Sequence, residues 1–392
     1  MVNPGINRGK VAIVGAAESD LGEVTPGLTP MDLMAQASLR ALDDAGISVR
    51  EVDGIFASGV QTRMAGVHLA EYLKISPRYH NGSFSGGSVF ETMVGDAVAA
   101  IQAGLCSVAL IAYGSTQRSA SMAGSGPARL VGIRTYDPLI TPFGPRMPMS
   151  SYAMAASRHM YEFGTTREQL AEVAISARKW ALKNPVAWEK EPLSVDEVLG
   201  ARIISSPFTK FDCCLVTDGG GAVVLVSAER AASLRRKPVY VLGVGDGVTH
   251  YEIHSMDDLT RTATIQSSTN AFAMAGISAS DVDVVELYDA FTINTILFLE
   301  DMGFCAKGEG GAFVSEGRIA PGGTLPVNTN GGGLSYGHPG MYGLQLLVEA
   351  VRQVRGECGE RQVADVNIAV AHGNGGTLSS QSTVVLGGAD TL

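Results

Sequence analysis

Residues that can move protons are concentrated in two short stretches of the second half of the sequence. Tyr288 stands in an apolar stretch, and Tyr336, His338 and Tyr342 stand in a glycine-rich stretch that begins at Asn328. A phenol with a pKa of about 10 is a weak acid that can give or take a proton at an alcohol or a ketone. Such groups suit aldol chemistry, in which a β-hydroxyacyl compound loses its hydroxyl proton, the Cα–Cβ bond breaks and an enolate remains. For each tyrosine the alternative is loop packing with a satisfied hydroxyl.

The chain that positions these residues consists of two similar halves. Residues 11–15 have a counterpart at residues 241–245, and residues 45–48 have one at residues 275–278, each 230 positions later. Each copy shows the pattern of a strand followed by a helix with a glycine cap and a second short apolar strand. The repeat predicts a duplicated fold.

The rest of each half continues the pattern with changed spacing. Residues 88–104 have helical apolar spacing and precede the apolar run 108–114, while residues 340–356 precede the run 367–373 in the same way. Each half therefore reads as strand, helix, strand, helix, strand. Near-continuous apolar strands that alternate with helices predict mostly parallel sheets covered by helices.

A long excursion separates the halves. Prolines crowd its first part, and helix-like runs follow. Long insertions are more often functional than accidental. We predict an N-terminal half at residues 1–114, to which residues 208–237 return, an inserted loop or lid subdomain at 115–207, and a C-terminal half at 238–392.

Composition excludes several classes of protein. The formal net charge of −10 offers no overall basic footprint for nucleic acid, and an anionic ligand would need local Arg or Lys. The five cysteines lack paired spacing, which predicts neither a metal site nor structural disulfides and makes a reducing cytoplasm the expected location. Residues 1–10 contain no apolar signal region, and no stretch reaches the roughly 20 apolar residues that a membrane span needs.

Three motifs make the sequence resemble the thiolase superfamily. Residues 328–339 contain Asn-Thr-Asn-Gly-Gly-Gly-Leu-Ser and Gly-His-Pro, which resemble the thiolase histidine loop. Residues 286–291 resemble the loop written Asn-Glu-Ala-Phe or His-Asp-Cys-Phe in thiolases, and residues 208–222 resemble the segment where the insertion rejoins the core. The likeness covers essentially the whole chain and is closest to the sterol-carrier, or lipid-transfer, branch. It implies an α/β thiolase fold, with two duplicated βαβαβ-type halves in a layered α/β/α/β/α arrangement and a large inserted loop subdomain.

The sequence also departs from this family. Thiolases carry a nucleophilic cysteine at the N-terminus of a buried helix, and in the corresponding segment, residues 81–87, Ser83 stands in its place. The loop that holds a second cysteine in many thiolases corresponds to residues 372–376, which contain none, and Tyr288 replaces the Asn or His of the third loop. The resemblance therefore implies an enzyme of acyl-CoA thioesters that works without a sulfur nucleophile.

Other parts of the family's site are retained. The resemblance implies an oxyanion hole that would stabilise an enolate, and His338 as the group that holds a thioester carbonyl oxygen. The arrangement of tyrosines resembles that of thiolase-like aldolases that remove steroid side chains, in which paired tyrosines replace the cysteines. Tyr336 or Tyr342 would then pair with Tyr288. The backbone N–H groups expected in the oxyanion hole, besides those near Ser83, are those of Gly373, Asn374, Gly375 and Gly376.

Ser83 leaves two interpretations open. His338 could activate it as a nucleophile, although a serine hydroxyl is far harder to ionise than a thiol with a pKa of about 8.5. The alternative is that Ser83 is a small helix N-cap that preserves the loop.

Binding partners follow from the resemblance as well. Coenzyme A would enter as part of the substrate and not as a cofactor, and Arg146, Arg158 and Lys210 in the excursion could meet its phosphates. Thiolase-like folds are generally homodimers joined at an edge strand. Aldolase-like relatives also work with a small OB-fold partner that closes the acyl site.

Three hypotheses about function remain at this stage. The first is an acyl-CoA carbon–carbon bond enzyme, either a retro-aldolase or a degenerate Claisen-type acyltransferase, with Tyr288 and His338 at its centre. The second is a non-catalytic carrier of lipid or acyl-CoA, or a scaffold. The third is a Ser83-dependent acyltransferase.

Overall fold

The computed structural model describes residues 8–122, 141–145 and 147–392. The first half contains β1 (Val11–Glu18), α1 (Pro30–Ala45), β2 (Gly54–Ala57), α2 (Ala65–Leu73), β3 (Tyr79–Asn81), α3 (Val89–Gln102) and β4 (Val108–Ser115). The excursion contributes α4 (Gln117–Ala120), α5 (Met149–Phe163), α6 (Arg167–Ala181), α7 (Val195–Gly200), β5 (Ile203–Ser205) and β6 (Phe208–Thr209). The remainder contains β7 (Gly219–Ser227), α8 (Ala228–Ala231), β8 (Val239–Val248), α9 (Thr264–Ala275), β9 (Val284–Leu287), α10 (Thr292–Asp301), α11 (Gly310–Phe313), α12 (Gly343–Arg355), β10 (Ile368–Gly375) and β11 (Ser380–Gly387).

The strands of both halves form one nine-stranded sheet in the order β3-β2-β4-β7-β1-β8-β11-β10-β9. Outward from its centre, β1, β7, β4 and β2 on one side repeat as β8, β11, β10 and β9 on the other. β1 and β8 pair only through Ala12 with Tyr240 and Ile13 with Val239. The sheet therefore consists of two similar halves joined edge to edge, which confirms the predicted α/β class and its duplication.

The prediction that the sheets are mostly parallel is wrong. β2 is parallel to β3 and β4, and β9 is parallel to β10. However, β7 is antiparallel to β1 and β4, and β11 is antiparallel to β8 and β10. The last strand of each half inserts between two parallel strands and runs against both, as antiparallel neighbours can without a helical crossover. The strand–helix alternation in the sequence covers only the first strands of each half.

Two helices occupy the middle of the molecule, and two cover it from outside. α3 and α12 contact strands of both halves and contact each other. Every residue of α12 except Arg352 is buried, as expected of a helix enclosed on all sides. α1 packs on β1, β4 and β7, while α9 packs on β8 and β11. This is the layered arrangement that the resemblance implied.

Glycine allows the outer helices to approach their strands closely. A Cβ atom at Gly15 would lie 2.0 Å from the carbonyl oxygen of Ala41 in α1, and one at Gly243 would lie 2.0 Å from that of Ala271 in α9. Ala271 is the counterpart of Ala41 in the 230-residue repeat. The counterpart of Gly15 is Gly245, two residues beyond Gly243. A strand glycine therefore meets the same helix position in both halves, at strand positions that differ by two residues.

The excursion packs against the second half and is hydrogen-bonded to it. α6 lies against a π-helical turn (Gly332–Tyr336), and Arg178 Nε donates a hydrogen bond to Ser335 Oγ at 3.0 Å. The limits predicted for the insertion and the two halves stay a prediction. Among the described residues, no helix combines the length and the apolar character that crossing a bilayer requires.

Replacement of Gly15 by alanine tests the close helix–strand contact. The new methyl group would overlap the Ala41 carbonyl, and overpacking of this kind costs about 1–3 kcal/mol. We expect Gly15→Ala and Gly243→Ala to lower the free energy of unfolding in urea by that amount. Gly200→Ala is the control, because its Cβ atom meets nothing within 4 Å. Equal stability of all three variants would contradict the contact.

Candidate active site

Tyr288 is placed at the point where β9 ends beside its neighbour. It directly follows β9, and its backbone N–H donates to the carbonyl of His372 in β10 at 3.0 Å. The residue is 4% exposed. Its ring lies against Gly87, where a Cβ atom would be 2.2 Å from Tyr288 Cε2. Glycine immediately before α3 is therefore required for this ring position.

His338 lies beside the Tyr288 hydroxyl and is held there through its backbone. Its Nε2 atom is 3.0 Å from Tyr288 Oη. The His338 N–H donates to Thr217 Oγ1 at 2.9 Å, and the Thr217 N–H donates to the His338 carbonyl at 3.2 Å. Burial lowers the pKa of His338 to about 4, so the imidazole is neutral near pH 7. Part of the residue remains accessible to solvent.

Tyr342 immediately precedes α12 and approaches Tyr288 in two ways. Its backbone N–H donates to Tyr288 Oη at 3.2 Å, and the two rings meet edge to face with centroids 5.9 Å apart. Its own hydroxyl donates to Asn330 Oδ1 at 2.8 Å. The structure therefore places Tyr342 against Tyr288 through its backbone, while its phenol is bonded within the turn that contains Asn330.

The hydrogen bonds around Tyr288 determine where its proton can move. Since its oxygen accepts from the Tyr342 N–H, its own proton is available to the neutral Nε2 of His338. Burial raises the pKa of Tyr288 well above its ordinary value, so the resting group is a phenol. The oxygen of Tyr288 can take a proton from a substrate hydroxyl while its own proton passes to His338. The pair can thus act as a proton relay.

The segment that returns from the excursion connects the loop after β9 with the histidine loop. Backbone N–H groups of residues 214–217 donate to the carbonyls of Ala290, Gly333 and His338 at 2.9, 2.9 and 3.2 Å. Burial raises the pKa of the Cys214 thiol well above its ordinary value, which leaves it protonated and a poor nucleophile. The segment therefore acts as a tie between loops and offers no replacement for a catalytic thiolate.

Residues 373–376, here termed the 373–376 loop, are the last three residues of β10 and the adjoining Gly376. They pack directly against the turn that precedes α3. A Cβ atom at Gly86 would lie 2.6 Å from Gly376 N, and one at Gly375 would lie 1.8 Å from Ser85 O. Glycine on both sides lets the two backbones touch. The 373–376 loop therefore lies at the N-terminus of α3, where the helix dipole favours negative charge.

Tyr152 is a residue of the site that sequence reasoning missed. It belongs to α5, is 2% exposed and stacks on Phe291 with centroids 4.4 Å apart. Asn374 Nδ2 donates to Tyr152 Oη at 2.8 Å, and the Tyr152 hydroxyl donates to the Gly376 carbonyl at 3.1 Å. Tyr152 thus links the insertion to the 373–376 loop. Its only signal in the sequence is an aromatic residue in a helix-like run, which is equally typical of core packing.

Asp289 was also missed, although it lies in a motif that was recognised. The residue is buried, and its carboxylate accepts hydrogen bonds from the N–H groups of Gly333 at 2.6 Å and Leu334 at 3.4 Å. Burial raises the pKa of Asp289 to about 7. The carboxylate holds the glycine turn that leads into His338, so it positions the histidine loop.

Tyr336 lies elsewhere than its spacing suggested. Its hydroxyl donates to Glu18 Oε1 at the end of β1 at 2.6 Å, and Arg352 donates to the other oxygen of Glu18 at 2.7 Å. The hydrogen bond to Glu18 thus satisfies the buried hydroxyl of Tyr336. Of the two tyrosines that could have accompanied Tyr288, the structure brings Tyr342 and not Tyr336.

Ser83 does not cap α3, so that alternative from the sequence is wrong. The N-cap of α3 is Ser88, without a side-chain capping bond. Ser83 lies in an exposed turn in which its N–H donates to Asn81 Oδ1 at 2.9 Å. The Asn81 side chain closes this turn, and Ser83 lies five residues before the helix cap. Activation of Ser83 by His338 stays a prediction.

The cations expected to meet coenzyme A are dispersed. Arg158 is paired with Glu162 on the same face of α5. Lys210 is exposed, with its ammonium 4.4 Å from the centre of the Phe211 ring. Arg146 lies outside the described residues, and phosphate binding by all three stays a prediction. In the part of the chain that the structure describes, no group of three or more His, Cys, Asp or Glu residues could hold a metal ion.

Comparison with known proteins identifies the family. The family model described as thiolase C-terminal domain-like matches residues 245–388. An acetyl-CoA acetyltransferase of Methanothermobacter thermautotrophicus is 32% identical over 380 residues, which cover 94% of this chain and 96% of that protein. A steroid side-chain-cleaving aldolase of Thermomonospora curvata has the same identity and the same coverage of both chains.

A solved structure extends this likeness to the fold. The Ltp2-ChsH2(DUF35) aldolase superposes with a TM-score of 0.86 at 29% identity, covering 98% of this chain and 99% of that chain. The chain therefore belongs to the thiolase superfamily, and the predicted thiolase fold is confirmed.

The protonation state of His338 can be measured directly. Because burial lowers its pKa to about 4, we expect its ring signals in ¹⁵N-histidine NMR to stay those of neutral imidazole from pH 8 to pH 5. The unfolded chain binds this proton near pH 6.5, so the His338 contribution to stability falls as pH drops from about 6.5 toward 4. His338→Gln assigns the signal. A midpoint near pH 6.5 would contradict the enclosed, neutral ring.

Proposed function

We propose that this protein is an aldolase that cleaves β-hydroxyacyl-CoA thioesters. The observation that carries the proposal is the hydrogen bond between Tyr288 Oη and the neutral His338 Nε2, at 3.0 Å. A thiolase reaction requires a thiolate that attacks and leaves, whereas the residues gathered here transfer protons. Aldol cleavage needs a proton acceptor at a hydroxyl and a place for an enolate, and it needs no covalent acyl-enzyme.

The reaction follows from the contacts around Tyr288. The substrate hydroxyl gives its proton to Tyr288 Oη while the phenol proton moves to His338 Nε2. The electrons of the O–H bond form a carbonyl, and the Cα–Cβ bond breaks toward the thioester. The enolate oxygen is held by N–H groups of the 373–376 loop at the start of α3. Protonation of the enolate at Cα releases a shorter acyl-CoA and a ketone or an aldehyde.

A partner protein is part of this proposal. The similar solved structure is an aldolase that pairs Ltp2 with a DUF35 protein. On the outer side of α5, Met154 and Tyr161 are 46% and 82% exposed and lie two helical turns apart on one face. The same helix carries Tyr152 to the 373–376 loop. A small OB-fold partner on this face would cover apolar surface beside the site.

A homodimer through the β3 edge is also proposed. The two ends of the nine-stranded sheet differ among the described residues. The outer edge of β9 is covered, because Val285 N–H donates to the Pro326 carbonyl and Asn328 N–H donates to the Val285 carbonyl, each at 3.0 Å. β3 ends the sheet on the other side, and its residue His80 is exposed. An open edge of this kind is a template for pairing with a second copy.

The proposed location is the cytoplasm. All five cysteines are free thiols in the structure, which suits a reducing compartment.

Removal of one hydroxyl tests the aldolase proposal. Tyr288→Phe keeps the ring against Gly87 but deletes the relay, and general acid–base groups contribute about 100- to 10,000-fold. We expect the rate of acyl-CoA and ketone formation from a tertiary β-hydroxyacyl-CoA to fall by at least 100-fold. Tyr336→Phe is the matched control, because its hydroxyl serves Glu18, and we expect its rate to stay within about threefold of wild type.

The outcomes separate the rival functions. Binding of acyl-CoA without turnover, unchanged by Tyr288→Phe, would indicate a carrier or scaffold. An acyl adduct on Ser83 would indicate the serine acyltransferase. Cleavage of acetoacetyl-CoA with free CoA, without cleavage of the β-hydroxyacyl-CoA, would indicate a Claisen-type enzyme. Each of these results would replace the aldolase proposal.

Sedimentation equilibrium tests the dimer. We expect twice the chain mass of 40.9 kDa for the wild type. His80→Asp would place like charges opposite each other across the paired edges, and we expect the monomer to predominate. Asp390→Asn, a charge change at the exposed end of the chain, is the control. A wild-type monomer at micromolar concentration would refute the dimer.

A further inference from the structure

A carboxylic acid that the proposed reaction has not used lies in the middle of the molecule. Glu91 occupies the first turn of α3 and is 0% exposed. Neither of its carboxyl oxygens has a hydrogen-bond partner on another described residue. Burial of a polar group without a partner lowers the stability of the folded protein. A carboxyl kept in such a place therefore calls for an explanation in terms of function.

Two glycines accommodate this carboxyl. A Cβ atom at Gly343, the first residue of α12, would lie 2.5 Å from Glu91 Oε2, and one at Gly373 in β10 would lie 2.2 Å from it. Glycine within a strand is less stabilising than alanine, because it loses more conformational entropy on folding. Two elements thus lack a side chain at the points where the carboxyl lies, and a methyl group at either point would displace it.

The same two glycines adjoin the proton-transfer groups. Gly343 follows Tyr342, whose backbone N–H donates a hydrogen bond to the Tyr288 hydroxyl oxygen. Gly373 is the first residue of the 373–376 loop. One helical turn before Glu91, Gly87 contacts the ring of Tyr288. Glu91 therefore lies directly behind both the relay and the loop that is proposed to hold the enolate.

The surroundings of Glu91 keep it protonated. Burial, together with the nearby carboxylate of Asp246, raises the pKa of Glu91 well above its ordinary value. Asp246 is exposed and accepts a hydrogen bond from Thr92 Oγ1 at 2.7 Å. Glu91 is therefore a neutral acid with a proton to give.

We propose that Glu91 stores the proton that reaches Cα of the enolate after carbon–carbon cleavage. The inference rests on the proposed aldolase function and supplies the acid that the Tyr288–His338 relay leaves undefined. The proposal requires one water molecule to enter with the substrate and carry the proton from the carboxyl to Cα, so Glu91 stores the proton without touching the substrate.

The proton balance closes over one turnover. The O–H bond of the Glu91 carboxyl breaks and a C–H bond forms at Cα, which leaves Glu91 as a carboxylate and His338 as the imidazolium that received the hydroxyl proton. Return of that proton from His338 to Glu91, through Tyr288 and water, restores both groups. No oxidant, reductant or metal is needed.

Exchange of Cα hydrogens in deuterium oxide tests the inference apart from cleavage. Exchange into acetyl-CoA and propionyl-CoA is the reverse of enolate protonation and requires no β-hydroxyl substrate. The Glu91 proton first passes through Tyr288 to His338, the resulting Glu91 carboxylate takes a proton from Cα, and a deuteron returns to Cα by the same route. We expect wild-type enzyme to exchange these hydrogens, followed by mass spectrometry. Glu91→Gln, which keeps the shape but cannot store the proton, should slow exchange by about 100-fold or more, with an unchanged melting temperature. Asp96→Asn on the same helix should exchange like the wild type.

Glu91→Asp distinguishes proton storage from packing. It retains an acid at slightly altered reach, so we expect it to exchange faster than Glu91→Gln. Exchange at the wild-type rate in Glu91→Gln would overturn the inference even if aldol cleavage is confirmed. Equal losses in the Gln and Asp variants would indicate a packing role and would also overturn it. A wild type that exchanges but does not cleave would sink the aldolase proposal alone, and one that does neither would sink both.

Discussion

The proposed chemistry depends on a single hydrogen bond, between Tyr288 Oη and His338 Nε2 at 3.0 Å. The pair can pass a proton from Tyr288 to His338 only while the imidazole is neutral and the phenol is protonated. Burial favours both states, because it lowers the pKa of His338 and raises that of Tyr288. The two residues are 50 positions apart in the sequence, on two loops that no local sequence pattern brings together. Thr217 fixes the histidine through two backbone bonds, and Gly87 leaves room for the tyrosine ring. The bond is thus a product of tertiary packing and not of local sequence.

The duplicated fold explains why charge can be stabilised at this point. α3 and α12 occupy equivalent places in the two halves, and both begin beside Tyr288, one after Gly87 and the other after Tyr342. Helix N-termini favour negative charge on nearby groups. The protein therefore directs two positive helix ends at the place where an enolate would form. In this environment a neutral acid such as Glu91 does not cancel the field, whereas a carboxylate would oppose it.

The predictions from sequence succeeded where chemistry and pattern coincide in a short segment. The repeat identified the duplication, and the glycine-flanked motifs identified Tyr288 and His338. The predictions failed where the outcome depends on the direction that a strand or a loop takes in the folded protein. The strand order could not be read from strand–helix alternation, because β7 and β11 return without a crossover. Tyr336 and Tyr342 have the same motif context, and only the turn of the chain sends one to Glu18 and the other to Tyr288.

Some residues carried no usable signal in one sequence. Tyr152 comes from a helix of the insertion, and its contact with Asn374 spans more than two hundred residues. Glu91 reads as an ordinary first-turn acid of a helix, which usually faces solvent. Its burial follows from the packing of α3 between the two halves, and this packing depends on Gly343 and Gly373. Such contacts between distant segments are set by the assembled layers and cannot be inferred from spacing.

The most direct measurement is a crystal structure with a slowly cleaved amide analogue of a tertiary β-hydroxyacyl-CoA, in which nitrogen replaces the thioester sulfur and the carbonyl oxygen is kept. The account predicts that the substrate hydroxyl lies within hydrogen-bond distance of Tyr288 Oη and that the carbonyl oxygen faces the N–H groups of the 373–376 loop. An analogue bound with its hydroxyl away from Tyr288, or with its carbonyl oxygen on another part of the protein, would contradict it.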